Sequence, residues 1–199
     1  MTAPSSEQVA GGLAFAIPGD WFPVKVPRER ADAEALTGQI LAARPGLRAD
    51  AVARMARSLV DACAALDVLC AYTTALEVPG GPLPATVLAS VHPAEGLDVE
   101  RLAERMSGGE PPTCFRLPAG RTARIERLRE QPVPGRDERL VSLVVQYVTA
   151  IPGTGDAVVL TFSTPALGLG DQLRQLFHQM ACTLRFESAE EAEDADDRR

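Results

Sequence analysis

The stretch from Ala157 to Phe186, AVVLTFSTPALGLGDQLRQLFHQMACTLRF, constrains the fold more than any other part of the chain. Val158, Leu160 and Phe162 alternate with Val159, Thr161 and Ser163, which predicts a strand in a covered sheet. Thr164-Pro165 ends it, because proline supplies no ladder donor. Leu173, Leu176, Phe177, Met180, Ala181 and Leu184 then recur at helical spacing, with Arg174, Gln175, His178 and Gln179 on the other side. Asp171 falls near the helix start, where a carboxylate meets the favourable end of the dipole. A last short strand ends at Phe186. Gly168-Leu169-Gly170 suggests a phosphate loop, but position 173 is Leu where a dinucleotide fingerprint needs its third glycine, and no Lys-Ser/Thr pair follows. The pair of glycines reads as a turn.

The segment before it pairs naturally with this strand. Arg139 to Ile151 is the longest strand signal, with Leu143, Val145, Tyr147 and Ile151 on one face and Leu140, Val144 and Val148 on the other, as expected for a strand covered on both sides. Pro152-Gly153-Thr154-Gly155 turns it into Val158 to Phe162 as an antiparallel hairpin. Upstream, Val68 to Val78 and Ala85 to His92 form a second hairpin around Pro79-Gly80-Gly81-Pro82. A short helix runs from Leu97-Asp98 to Met106. Cys114 to Leu117 and Arg121 to Glu130 are strands flanking Pro118-Ala119-Gly120. Near the start, Leu13 to Ile17 is a strand, Pro18-Gly19-Asp20 a turn, and Val24 and Val26 belong to another strand. Two helical patterns follow. Leu36, Ile40 and Leu41 form one stripe before Pro45-Gly46; Val52, Met55, Leu59, Val60, Cys63 and Leu66 form the next, with Asp50 placed to cap it.

The expected architecture is α+β: an antiparallel β-sheet with helices on both faces, including an N-terminal helical hairpin. Residues 13–186 form a single domain with the hairpin inserted at about 28–66. Residues 1–12 are expected to be disordered, as is the acidic tail 187–199. That tail carries seven acids against two arginines, so most of the formal charge of -7 lies there. The body is near neutral and aromatics are only 5% of residues, which argues against a nucleic-acid partner. The N-terminus lacks a basic region followed by an apolar one, and no apolar run reaches the length of a membrane span. The chain is therefore expected in the cytoplasm, off the membrane.

Chemistry-bearing residues are few. Cys63, Cys70, Cys114 and Cys182 show no paired spacing, so they read as small core hydrophobes in a reducing compartment. No metal or cofactor is expected. The two histidines, His92 and His178, have no nucleophile or carboxylate motif beside them, and no GxSxG, HExxH or GxxxxGK[ST] occurs. The chain is expected not to be an enzyme. Lys25 is the only lysine, and the excess of arginine fits a high-GC coding bias. Arg116, Arg121, Arg127 and Arg129 nevertheless form a ladder, with Arg121, Arg127 and Arg129 at one strand parity and Arg124 opposite. Such a ladder could hold an anion or an acidic peptide, including the chain's own tail. Its simpler role is to keep an edge strand soluble, with Glu126 and Glu130 interleaved. Trp21, the only tryptophan, could anchor a partner or plug the end of the core.

Two segments carry a resemblance. FAIPGDW near the N-terminus, with LTFSTP and LFHQMACTLRF near the C-terminus, resembles the PsbP-like α/β/α sandwich, the fold shared by the photosystem II PsbP subunit and the Ran-binding Mog protein. The LPAG-R segment, Leu117 to Arg121, and TFSTP, Thr161 to Pro165, are similar to segments of high-GC bacterial proteins. The resemblance implies an antiparallel sheet with helices on both faces and a binding or assembly role without a shared catalytic site. The functional expectation is thus a non-catalytic protein-binding module, an adaptor or assembly factor, with an unknown protein partner and homo-oligomerisation left open. The alternative is a small-molecule or lipid-binding domain with a pocket between helices and sheet; an enzyme is third. An exposed apolar patch would favour the first, and a cavity with a few convergent polar groups the second.

Overall fold

The computed structural model describes residues 5–9, 12–24, 32–65, 67–132 and 139–186. The chain opens with three short strands, β1 (Ser5–Val9), β2 (Leu13–Ile17) and β3 (Phe22–Val24). Two helices follow, α1 (Asp32–Ala43) and α2 (Ala49–Ala65). Next come β4 (Asp67–Leu76), β5 (Leu83–Pro93), α3 (Val99–Ser107), β6 (Thr113–Leu117) and β7 (Gly120–Pro132). The C-terminal part is β8 (Arg139–Ala150), β9 (Asp156–Thr164), a 3-10 turn (Leu167–Leu169), α4 (Gly170–Cys182) and β10 (Arg185–Phe186). These build an α+β architecture in which every described strand pairing is antiparallel. The large sheet has the order β3-β4-β5-β9-β8-β7-β6, and β1-β2-β10 form a small second sheet.

Strand parity sorts the core into clusters. On β8, Leu143, Val145 and Tyr147 pack with Leu173, Phe177 and Met180 of α4 and with Leu13, Phe15 and Ile17 of β2. Phe162 of β9 stacks on Phe177 at 4.6 Å between ring centroids, an offset aromatic pair at the centre of this cluster. Val148 has the other parity and packs with Val99, Leu102 and Ala103 of α3. Leu88 of β5, together with Ala71 of β4, packs with Leu36 and Ile40 of α1 and Val52, Ala56 and Leu59 of α2. Leu88 lies opposite Thr161, and Thr161 opposite Gln146. Leu88, Gln146 and Val148 therefore share a face, because side chains two apart along a strand point the same way. The clusters under α2 and α3 leave a stretch of that face between them, where Thr86, Ser142, Gln146, Thr161 and Ser163 replace apolar residues.

Local signals explain the ends of several elements. Asp98 caps α3, its carboxylate accepting from Arg101 N at 2.9 Å, and Gly108 ends the helix at φ 74, a left-handed position suited to glycine. The cap expected at Asp50 is not made, whereas Asp171 lies in the first turn of α4, at the favourable end of the dipole. Asp50 lies inside the first turn of α2 and accepts from Arg48 and Arg54, both at 3.1 Å. Asp171 accepts from Arg174 at 2.9 Å, while α4 grows out of the 3-10 turn with Leu169 at its N-cap. A nearby guanidinium competes with backbone amides for the same oxygens.

The N-terminal segment, expected to be disordered, contains β1, which pairs with β2 from Ser5↔Ile17 to Val9↔Leu13. Ladder bonds are made by backbone groups, so a polar sequence without period 2 gives no sign of them. The expected acidic tail at 187–199 lies outside the described residues, as do residues 28–31 at the start of the expected helical hairpin. No helix among the described residues is long and apolar enough to cross a membrane.

Candidate functional site

The uncovered part of the sheet face forms a groove of about 340 Å³. Met55 and Leu59 of α2 and Leu88 of β5 form an apolar wall, with Leu140 and Val144 of β8 also lining the groove. The polar lining includes Thr86, Thr161, Ser163, Ser142 and Gln146, with Arg127, Arg129 and Gln131 contributed by β7. Asp61 of α2 supplies a carboxylate, which is itself engaged. Such a volume is at the small end of ligand pockets, which span roughly 300–1,000 Å³.

Arg127 is a groove cation held by two hydrogen bonds. Its guanidinium donates to the carbonyl of Met106, in the last turn of α3, at 3.0 Å and to Gln146 Oε1 at 3.1 Å. Gln146 passes the order on, donating from Nε2 to Thr161 Oγ1 at 3.1 Å. Gln146 is only 8% exposed, so a buried amide fixes the orientation of the half-buried guanidinium. Both hydrogen-bond acceptors are neutral, and Arg127 forms no ion pair among the described residues. A guanidinium has five N–H donors, so those two bonds leave it donor capacity as well as uncompensated charge. Arg129, two residues on and exposed, also lines the groove.

The other ladder residues lie elsewhere. Arg121 pairs with Glu100 of α3 at 2.7 Å. Arg116 on β6 stands opposite Arg121 in the register. From Arg121 to Arg127 is six residues of strand, about 20 Å at the usual rise. The four arginines therefore divide into a groove pair, Arg127 and Arg129, and a pair at the β6–β7 hairpin, Arg116 and Arg121. Beyond Arg124 the outer edge of β7 has no strand neighbour among the described residues, because β6 pairs only as far as Thr113 opposite Arg124. Trp21 is 7% exposed and belongs to the cluster under α4. It plugs the core and presents almost no surface to a partner.

Both histidines meet a side chain that sequence spacing did not single out. His92 Nε2 lies 3.0 Å from Ser90 Oγ. Ser90 is 0% exposed, so its hydroxyl is out of reach of a substrate, and burial pushes the His92 pKa down. His178 Nε2 lies 3.6 Å from Cys182 Sγ. None of the four cysteines is in a disulfide. Among the described residues no group of three or more His, Cys, Asp or Glu is placed to hold a metal ion.

Gln146, Thr161 and Met55 are groove residues that the sequence did not single out. One signal was present: Gln146 is the sole amide side chain in LVVQYV. An amide inside a central strand needs a buried partner, and Arg127 is that partner.

The fold and groove define a class no narrower than an α+β domain with a cationic, partly apolar cleft on an antiparallel sheet. No protein-family model matches the chain, and no curated protein or solved structure matches it.

Proposed function

We propose that this chain binds a small amphipathic anion in the groove beside α2. The anionic group meets Arg127, and the apolar part lies against Met55, Leu59 and Leu88. The observation that carries the reading is the guanidinium of Arg127, held in place by Met106 and Gln146 with no counter-ion among the described residues. A cation half withdrawn from water without an anion is costly, and a bound carboxylate or phosphate removes that cost. The groove also has the composition of a ligand site, apolar walls with a few convergent polar groups.

The proposal takes the domain as a sheet with helices on both faces, with the helical hairpin α1–α2 as one wall of the groove. The sheet with helices on both faces is what the PsbP-like resemblance implies, the hairpin being a departure from the simplest version of that fold, and a cytoplasmic, non-catalytic role belongs to the same proposal. The protein-binding reading has one observation in its favour. The open edge of β7 carries Leu128, which is 62% exposed, and an extended peptide can add to such an edge. Leu167 is the other exposed large hydrophobic among the described residues, so the apolar surface expected of an adaptor is small, and ligand binding comes first.

Calorimetric titration with straight-chain carboxylates, and with alkylammonium ions of matched length, tests the proposal. Carboxylates bind, more tightly as the chain lengthens until the groove is filled, while the cations do not. Arg127→Gln weakens the carboxylate about tenfold or more, the equivalent of one lost charge-assisted bond. Equal binding of both series, or unchanged affinity in Arg127→Gln, overturns it.

A further inference from the structure

The groove holds a second cation besides Arg127. Arg129 stands two residues along β7, so both guanidinium stems rise from one face of the strand, about 7 Å apart at the backbone. Both line the groove. The carboxylates interleaved with them, Glu126 and Glu130, belong to the other face. Each is already met by an arginine, Glu126 by Arg174 at 2.6 Å and Glu130 by Arg139 at 2.9 Å. Among the described residues Arg129 forms neither an ion pair nor a side-chain hydrogen bond. Asp61 of α2 lines the groove too, but that carboxylate is itself engaged.

A third group faces the same place. Ser142 of β8 is directly opposite Arg129 in the register. It is 9% exposed and lines the groove, yet its hydroxyl makes no hydrogen bond among the described residues. A hydroxyl so withdrawn from water, on the wall of a groove, keeps its bonding capacity for whatever enters. Two guanidiniums without counter-ions and a free hydroxyl offer more charge and more donors than one carboxylate can use.

We propose that the anionic group of the groove's ligand is a phosphate monoester in its dianionic form. The inference rests on the groove reading above and narrows it. Arg127 and Arg129 donate to different phosphate oxygens, Ser142 donates beside Arg129, and two negative charges meet two positive ones. The apolar body crosses the sheet toward Leu88 of β5 and Met55 of α2. In the order β5-β9-β8-β7 that crossing is three strand spacings, about 14 Å, a length suited to a phosphate carrying a medium-length alkyl chain. At the phosphate end the way in is not closed by a strand among the described residues, because β6 pairs with β7 only as far as Arg124. The same chemistry occurs on a soluble alkyl phosphate and on the headgroup of a lipid phosphate monoester.

Calorimetric titration at pH 8, where a phosphate monoester is dianionic, tests the inference. Octyl phosphate is compared with its methyl ester, which keeps the chain and the phosphorus but carries one charge, and with octanoate. Octyl phosphate binds about fivefold or more tighter than the methyl ester, the upper end for an ion pair at an exposed arginine. Arg129→Gln removes that preference and Ser142→Ala reduces it, while Arg127→Gln weakens all three ligands. Retention on phosphatidylcholine vesicles containing phosphatidic acid, but not on phosphatidylcholine alone, assigns the phosphate to a lipid headgroup; binding of octyl phosphate without retention assigns it to a soluble ligand. Equal binding of octyl phosphate and its methyl ester overturns this inference and leaves the groove reading standing, and so does a preference that survives in Arg129→Gln. Binding of none of the three overturns both.

Discussion

Replacing Tyr147 by Phe should stabilise the protein. The ring is packed edge-on to Phe162 at 5.8 Å and to Phe115 at 6.3 Å, and phenylalanine keeps both contacts. What is lost is one buried hydroxyl, which faces Arg124 on the neighbouring strand without a hydrogen bond of normal geometry. Its desolvation costs about 1–3 kcal/mol, and among the described residues no hydrogen bond of normal geometry offsets it. For a domain of this size each kcal/mol moves the midpoint by about 2–4 °C. The expected gain is therefore at least about 2 °C in a thermal melt followed by circular dichroism. A lower midpoint would show that Arg124 satisfies the hydroxyl.

Two further predictions concern the same face of the sheet. Phe177→Ala removes a fully buried ring stacked on Phe162 and should cost about 3–5 kcal/mol in urea unfolding, whereas a loss under 1 kcal/mol would mean that α4 is not packed as described. Burial pushes the Tyr147 phenol up to about 12 against the opposing pull of Arg124. A folded pKa raised above the unfolded one favours the neutral phenol in the fold. Its stability contribution is complete below the ordinary tyrosine range near pH 10 and is lost as pH rises toward 12. In a spectrophotometric titration of the folded chain, which has two tyrosines, one should ionise only near that value or on unfolding. Ionisation of both near 10 would contradict the burial.

The parts of the fold that were legible are those in which period and burial coincide. The alternation in β8 and β9 and the stripe Leu173, Phe177, Met180 on α4 give strand, turn and helix directly, because each residue's face is set by the element's own geometry. The parity of Arg121, Arg127 and Arg129 against Arg124 was also readable. β1 was not, since its pairing is made by the backbone of a polar segment. Nor was the groove, whose residues come from α2, β5, β7, β8 and β9. The order β5-β9-β8-β7 inserts the last hairpin beside a strand some seventy residues earlier, as in Val87↔Phe162, and no local pattern encodes that. Capping was misread at Asp50 because arginines compete for its oxygens. Trp21 could have been anchor or plug from sequence, and its burial under α4 decides between them.

The central claim is that the groove beside Arg127 takes an amphipathic anion. Methyl NMR of the chain's four methionines tests it most directly, since Met55 lines the groove while Met180 belongs to the cluster under α4 on the other face. Titration with a medium-chain carboxylate should shift the Met55 methyl in a saturable way and leave Met180 in place, and the shift should weaken in Arg127→Gln. A carboxylate that binds while Met55 stays still, or that moves Met180 instead, would contradict it.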